Sequence, residues 1–155
     1  HWPGAGVKYE ETFRALNKLV RDGKVKHLGV SNFNLKLLKQ VQSLSETSIV
    51  NNQVPYSISD RSYVKNGVFE YCQQNDILLT AYSPVDEGKL KVNQALRSIA
   101  EAHGVTPFQV ALAWVISQPK VITIPMSHNP QHIKENFETA DIELTQSEIS
   151  QITNG

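Results

Sequence analysis

Apolar residues recur along the chain in two alternating patterns, helical spacing and short continuous runs. Tyr9, Phe13, Leu16 and Val20 lie at i, i+4, i+7 and i+11, which places them on one face of a helix. Gly23 follows at the position where a left-handed residue commonly closes a helix. The pattern therefore predicts a helix that ends just before Gly23.

Four short apolar runs predict strands near residues 25–30, 48–54, 77–82 and 121–125. The run from Ile77 to Ala81 has no polar alternation, which is typical of a strand covered on both faces, as in a parallel sheet. Helix starts lie between the runs, with Asn34 as an N-cap and capping boxes at Thr106 and Thr145. Strands that alternate with helices in this way predict an α/β fold with right-handed crossovers.

The periodicities leave two α/β architectures open. Four parallel strands with their helices fit half of a (β/α)8 barrel, and they also fit part of an open, doubly wound sheet. No Gly/Ser-rich linker, low-complexity segment or repeat interrupts the sequence. Residues 1–155 are therefore expected to form one segment without a separate second domain.

Composition narrows the classes of function. The chain has 155 residues, and 15 Lys and Arg balance 15 Asp and Glu, so no basic excess favours a nucleic-acid partner. No apolar stretch approaches the ~18 residues of a membrane-spanning helix, so no membrane partner is expected. Cys72 is the only cysteine. It cannot form an internal disulfide, which predicts a reducing, cytoplasmic location.

Several familiar site motifs are absent. The sequence contains neither Gly-x-Gly-x-x-Gly nor Gly-x-x-x-x-Gly-Lys-Ser/Thr, so neither common nucleotide loop is present. His128 and His132 are four residues apart, but Pro130 at a helix start places His128 outside that helix. The two imidazoles would not share a face, and no metal site is expected.

Polar and aromatic residues instead follow the predicted strands. Ser31, Gln53, Tyr82 and Ser127 each come at the end of one of the four runs, and His1 precedes the first helix. The C-terminal strand ends of a (β/α)8 barrel form its active-site face. We therefore expect these side chains to lie at one end of the sheet.

The motifs around these positions, taken together, resemble the aldo-keto reductases; they are His1-Trp2-Pro3, Gly29–Phe33, Asn52-Gln53-Val54, Ala81–Pro84, and Ile124-Pro125-x-Ser127 with Glu135-Asn136. The resemblance implies a (β/α)8 barrel of which this chain covers strands five to eight. It also implies a nicotinamide cofactor, NADP or NAD, and reduction of small aldehydes or ketones to alcohols by hydride transfer.

The resemblance assigns roles to individual residues. His1 would be the active-site histidine that hydrogen-bonds the substrate carbonyl. The cofactor-binding residues would be Ser31, Asn32 and Gln53 at the nicotinamide carboxamide, Tyr82 stacked on the ring, Ser83 near the pyrophosphate, and Ser127, His132, Glu135 and Asn136 at the adenosine end.

Simpler interpretations stand beside these roles. Ser31 and Asn32 are also common helix-capping types, and Tyr82 could belong to the core. Phe33 and three further aromatic residues are predicted to pack rather than to bind, namely Trp2, Trp114 and Phe137. For Trp2 a second role stays open, the lining of a substrate pocket.

Two residues depart from the family pattern. Met126 and His132 stand where the family often has Lys and Arg, the cations that address the 2′-phosphate of NADP. Methionine is uncharged and histidine is mostly neutral at pH 7. Preference for NADP over NAD is therefore in doubt.

The family's catalytic Tyr, Lys and Asp lie on earlier strands and have no counterparts in these 155 residues. We therefore expect a missing N-terminal half, an isolated chain without activity, and exposed sheet edges that this half or a second chain covers. Two alternatives remain: a non-catalytic module that senses the cofactor or binds a partner, and a proteolytic or recombinant fragment that is inactive alone.

Overall fold

The computed structural model describes all residues from 1 to 155. Its helices are α1 (Tyr9–Arg21), α2 (Leu35–Leu44), α3 (Ser62–Lys65), α4 (Val68–Gln74), α5 (Gln94–His103), α6 (Pro107–Ile116), α7 (Pro130–Glu138) and α8 (Gln146–Asn154). Its strands are β1 (Leu28–Ser31), β2 (Ile49–Pro55), β3 (Leu78–Tyr82) and β4 (Val121–Thr123).

The four strands follow the order β1-β2-β3-β4 in a parallel sheet. The pairing of β1 with β2 places Ser31 opposite Gln53, after an irregularity between Leu28 and Gly29. An α/β fold with a parallel sheet is therefore confirmed, whereas the assignment to strands five to eight of a barrel stays a prediction.

Two strand boundaries differ from the predicted ones. The first strand begins at Leu28 rather than near Val25, because the backbone N–H of Val25 donates to the carbonyl of Leu19 and so belongs to the end of α1. The last strand ends at Thr123. Pro125 has no N–H with which to continue a ladder.

The predicted N-caps and the predicted glycine at a helix C-terminus are both confirmed. The side chains of Asn34, Thr106 and Thr145 accept from backbone N–H groups at the starts of α2, α6 and α8, and both predicted capping boxes form. Gly23 follows α1 in the left-handed region with φ 69°. Gly104 closes α5 in the same conformation.

The chain divides into two compact units. The first, residues 1–54 and 62–80, has a core in which α1, α2 and α4 contribute Phe13, Leu38, Val41, Val68 and Cys72. The second unit comprises residues 55–61 and 81–155. That 1–155 form a single segment of the family's fold stays a prediction.

The second unit is built around α6. Every residue from Val110 to Val115 is buried, so this helix is apolar on all sides rather than on one face. Trp114 stacks on Tyr56 with ring centroids 5.5 Å apart, and its Nε1 donates to Thr153 Oγ1 at 3.0 Å. The last helix is thereby attached to the unit's core.

Two of the four aromatic residues predicted to pack do not. Phe33 and Trp114 are buried, but Trp2 is 67% exposed and Phe137 is 83% exposed. Phe137 lies one residue before the end of α7, on its solvent face. Sequence spacing identifies which residues share a helix face, but it does not show whether another element covers that face.

No single helix combines the length and apolar character needed to cross a bilayer; only α5 and α6 taken together do so, and they are bent by 92°.

Candidate functional site

The end of β1 is fastened to β2 by the backbone of Gln53. Ser31 Oγ donates to the Gln53 carbonyl at 2.9 Å, and the backbone N–H of Asn32 donates to the same oxygen at 2.8 Å. Asn32 Nδ2 donates to Ser31 Oγ at 3.2 Å. Because the Ser31 hydroxyl already donates within the chain, it has only acceptor capacity left for a ligand.

Asn32 turns the chain out of β1 in a left-handed conformation with φ 61°. Asparagine tolerates this region better than most residues because its short polar side chain forms local hydrogen bonds. Ser31 and Asn32 are each only 7% exposed. The helix that follows is capped by Asn34 rather than by either of them.

The Gln53 side chain is half-buried, and its amide makes no hydrogen bond within the chain. Its neighbour Asn52 is fully buried and donates from Nδ2 to the Phe33 carbonyl at 3.0 Å. The first unit therefore gathers three predicted binding residues, Ser31, Asn32 and Gln53, at the carboxyl ends of two paired strands.

His1 lies outside every helix and strand and is exposed. With Trp2 it lines a cavity of about 160 Å³, whose wall also includes Tyr9, Gly29 and Phe33. The histidine thus lies over the β1 side of the first unit.

Tyr82 is the last residue of β3 and is half-buried, and its carbonyl accepts from the backbone N–H of Tyr56 at 3.3 Å. Ser83 leaves the strand with φ 49°, and a 3-10 turn over Asp86–Gly88 follows. The Ser57 hydroxyl donates to Asp86 Oδ1 at 3.0 Å, which fastens this turn to the segment after β2.

The turn after β3 borders two adjoining cavities of about 430 and 500 Å³, which we call the groove. Both cavities share Val85, Glu87, Gly88, Pro125 and Met126. The groove also collects five residues expected to bind the cofactor: Ser83, Ser127, His132, Glu135 and Asn136. Tyr82 is not part of its lining.

The start of α7 forms one wall of the groove. Ser127 Oγ accepts from the backbone N–H of Asn129 at 3.1 Å, and Asn129 Oδ1 in turn caps the helix by accepting from Gln131 N–H at 2.9 Å. Glu135 Oε1 accepts from Gln131 Nε2 at 3.0 Å. The carboxylate of Glu135 therefore lies on the same wall as the cap.

The lining of the groove contains two carboxylates, on Glu87 and Glu135, and no Lys or Arg. The ammonium of Lys89, which is outside the lining, lies 3.7 Å from Glu87 Oε2. Met126 is 78% exposed at the groove's edge. A strongly anionic ligand group would therefore find no cation in the lining itself.

Tyr56 is not placed to act as a general acid. It is 2% exposed against Trp114, and burial raises its pKa to about 12, with Arg61 acting weakly in the opposite direction. A general acid works best with a pKa near the working pH and with contact to the reacting group. Neither condition holds at Tyr56.

Sequence reasoning missed several residues of this region. Glu87, Val85 and Phe108 line the groove, and Asn52 fixes the turn after β1. An acidic residue in a turn, such as Glu87, or an apolar residue near a helix start, such as Phe108, belongs to no recognisable sequence motif. Asn52 stands inside the quoted Asn-Gln-Val motif, and its position before Gln53 was the available signal.

Residues 1–154 of the chain match the model of the aldo/keto reductase family. The chain belongs to this family. It is 38% identical over 152 residues to the glyoxal reductase of Bacillus subtilis, an alignment that covers 98% of this chain and 53% of that enzyme. The family predicted from the motifs is therefore confirmed.

Solved structures agree with the assignment. A thermostable aldo-keto reductase in complex with the inhibitor epalrestat superposes with a TM-score of 0.93 at 36% identity, over 99% of this chain and 57% of that one. An aldo/keto reductase from Klebsiella pneumoniae in complex with NADP and acetate gives 0.85 at 32% identity, over 98% and 55%. The chain thus spans about half the length of the relatives it matches.

Proposed function

We propose that the protein containing this chain reduces small aldehydes or ketones with NADPH or NADH. The observation that carries this function is the groove of the second unit, because it gathers five residues expected at the cofactor. Family membership and the glyoxal reductase relative support an oxidoreductase acting on small carbonyl compounds.

The nicotinamide end of the cofactor would be held by Ser31, Asn32 and Gln53. A carboxamide offers one acceptor and two donors, and the free amide of Gln53 matches both. The Ser31 hydroxyl, which already donates to the Gln53 carbonyl, would accept from the carboxamide NH₂. Such preformed polar groups reduce the cost of ordering on binding.

Contacts to the nicotinamide ring, the pyrophosphate and the adenosine would come from the second unit. Tyr82 would stack on the nicotinamide ring, and Ser83, on the left-handed turn after β3, would approach the pyrophosphate. Ser127, His132, Glu135 and Asn136 would take the adenosine. The residues present therefore suit a dinucleotide in number and in polarity.

The choice between the two cofactors turns on the groove's charge. NADPH differs from NADH by a 2′-phosphate, and a site for that group normally supplies Lys or Arg. Because the lining holds Glu87, Glu135, Met126 and His132 and no Lys or Arg, discrimination against NADH should be weak. Either NADPH or NADH would therefore serve as the cofactor.

When bound, the cofactor supplies the hydride. His1 would donate a hydrogen bond to the substrate carbonyl and so stabilise negative charge that develops on its oxygen. The general acid, a Tyr with its Lys and Asp, would come from an N-terminal half outside the printed residues. That half would cover the terminal strand β4, whose Ile122 is 45% exposed, with Ile124 just beyond it 48% exposed.

A steady-state assay on the full-length protein with glyoxal, NADPH and NADH tests this function. We expect turnover with both cofactors, and a larger loss of catalysis than of cofactor affinity on His1→Ala. Saturable cofactor binding without carbonyl reduction would support a cofactor-sensing module instead. Absence of both binding and turnover would contradict the proposed function.

A further inference from the structure

Asn52 is fully buried, although only one end of its side-chain amide makes a hydrogen bond. Its exposure is 0%, and Nδ2 donates to the Phe33 carbonyl at 3.0 Å. Its Oδ1 is one of two buried side-chain polar atoms without a hydrogen-bond partner, the other being Ser45 Oγ. The orientation of the amide is fixed, because the opposite orientation would set two acceptors against each other.

A buried acceptor without a partner is a cost that an aliphatic residue at this position would avoid. The benefit that an amide alone provides here is the N–H donor to Phe33. The Phe33 carbonyl follows Asn32, the left-handed residue at φ 61°. Asn52 therefore fixes the far side of the turn that begins at Ser31.

Residues 52 and 53 of β2 hold three consecutive residues of this turn. The Gln53 carbonyl accepts from Ser31 Oγ at 2.9 Å and from Asn32 N–H at 2.8 Å, while Asn52 holds Phe33. The side chain of Gln53 takes no part in these contacts and stays free. One strand thus combines a rigid support with an available amide.

We propose that Asn52 is a positioning residue for the nicotinamide end of the cofactor. It holds the 31–33 turn so that Ser31 and Asn32 keep their arrangement relative to the Gln53 amide. This inference rests on the proposed function, since it takes those three residues as the carboxamide contacts. Asn52 itself, being fully buried, touches no ligand.

Asn51 provides a matched control on the same strand. Its Oδ1 accepts from the Thr80 hydroxyl at 2.9 Å, so a carboxylate at position 51 keeps the acceptor that this bond needs. A carboxylate at position 52 instead loses the donor to Phe33. The same substitution at adjacent positions is therefore expected to have different consequences.

The test measures dissociation constants of the full-length protein for two probes, NADP⁺ and 2′-phospho-ADP-ribose, which lacks the nicotinamide. We expect Asn52→Asp and Asn52→Leu to weaken NADP⁺ binding about tenfold, the order of one lost hydrogen bond in the support. Binding of 2′-phospho-ADP-ribose should stay within about twofold of wild type, because that probe makes no contact at the carboxamide. Asn51→Asp should leave both constants within about twofold.

The two Asn52 variants and the two probes separate a positioning role from a purely structural one. Asn52→Leu removes the unpaired acceptor as well as the donor, so it tests the role if the aspartate variant fails to fold. Unchanged NADP⁺ affinity in a folded Asn52 variant, or equal weakening of both probes, would overturn the inference. Failure of both Asn52 variants to fold would also overturn it, by assigning Asn52 to stability alone. If the wild type binds neither probe and does not bind NAD⁺ either, the proposed function fails instead.

Discussion

The two units present their polar strand ends in opposite ways. In the first, Ser31 and Asn32 are each 7% exposed and make hydrogen bonds within the chain. The side-chain amide of Gln53 is the group left without a hydrogen bond. In the second, the residues after β3 and β4 line an open groove, and Met126 at its edge is 78% exposed. Hydrogen bonds within the chain hold the polar groups of the first region in place. The second region offers an open groove with few charged side chains.

Under the proposed function, the first region would hold the carboxamide and the second the adenosine. A carboxamide needs donors and acceptors at fixed positions, and preorganised hydrogen bonds provide them at low entropic cost. An adenosine moiety offers a large flat surface that a wide groove accommodates with fewer fixed contacts. Substitutions in the first region should therefore alter affinity through geometry, and those in the second through charge.

The two tryptophans differ in the opposite sense from the polar strand ends, because the tryptophan of the second unit is buried and that of the first is exposed. Trp114 is 2% exposed and stacks on Tyr56, while Trp2 of the first unit is 67% exposed. We expect Trp114→Ala to lower the free energy of unfolding by about 3–5 kcal/mol, as for other large core truncations. Trp2→Ala should cost under about 0.5 kcal/mol. Urea unfolding of both variants checks this, and similar losses would contradict the assigned burial.

Cys72 tests the closed packing of the first unit. Burial raises the pKa of its thiol from 9.0 to about 11, so about a hundredfold less thiolate is present near neutral pH than for a free thiol. We expect iodoacetamide to modify the Cys72 peptide at least about a hundredfold more slowly in the folded protein than in urea. Mass spectrometry of that peptide gives both rates, and equal rates would show that the α4 side of this core is open.

The charge of the groove is tested by adding the missing cations. Met126→Lys combined with His132→Arg should raise the preference for NADPH over NADH about tenfold, because each cation forms a charge-assisted contact with the 2′-phosphate. The gain should shrink as salt is added, since exposed charges are screened. A wild-type preference for NADPH of several hundredfold would show that other groups already bind the phosphate.

The smallest expected effect concerns the cap of α8. The pKa of Glu148 lies below its ordinary value, chiefly because the carboxylate accepts from Thr145 N–H at 2.7 Å, with smaller contributions from the Thr145 hydroxyl and His103. Its contribution to stability is therefore complete above the ordinary pKa of 4.5 and is lost as the pH falls through the lowered value.

Glu148→Gln should cost under about 1 kcal/mol at neutral pH and should flatten the loss of stability in acid. Thermal unfolding followed between neutral and acid pH measures both, with the exposed Glu101→Gln on α5 as the control. An unchanged acid profile in Glu148→Gln would assign the acid sensitivity to other carboxyl groups.

The sequence predicted best where local chemistry decides the structure. Capping at Thr106 and Thr145 depends on residues three positions apart, and both boxes form as expected. It predicted less well where other elements decide. The exposure of Phe137 depends on what covers α7, and the hydrogen bond of Asn52 joins it to Phe33, nineteen residues away.

The candidate site shows the same limit. The motifs named five residues of the groove, because the resemblance to the family places Ser83, Ser127, His132, Glu135 and Asn136 at the cofactor. They could not show that the Ser31 hydroxyl donates to the Gln53 carbonyl, or that Glu87 from a turn joins the lining. Hydrogen-bond donors and cavity walls are properties of the folded chain, whereas residue types at strand ends are properties of the sequence.

The central proposal is that Gln53 and Asn136 each contact a nicotinamide cofactor, and an NADPH titration of the full-length protein tests it most directly. Intrinsic fluorescence should show saturable binding, and Gln53→Ala and Asn136→Ala should each weaken it about tenfold through lost hydrogen bonds. Gln40→Ala, on the exposed face of α2, should leave it unchanged. Wild-type affinity in both the Gln53 and Asn136 variants would contradict the assignment of these residues to the cofactor.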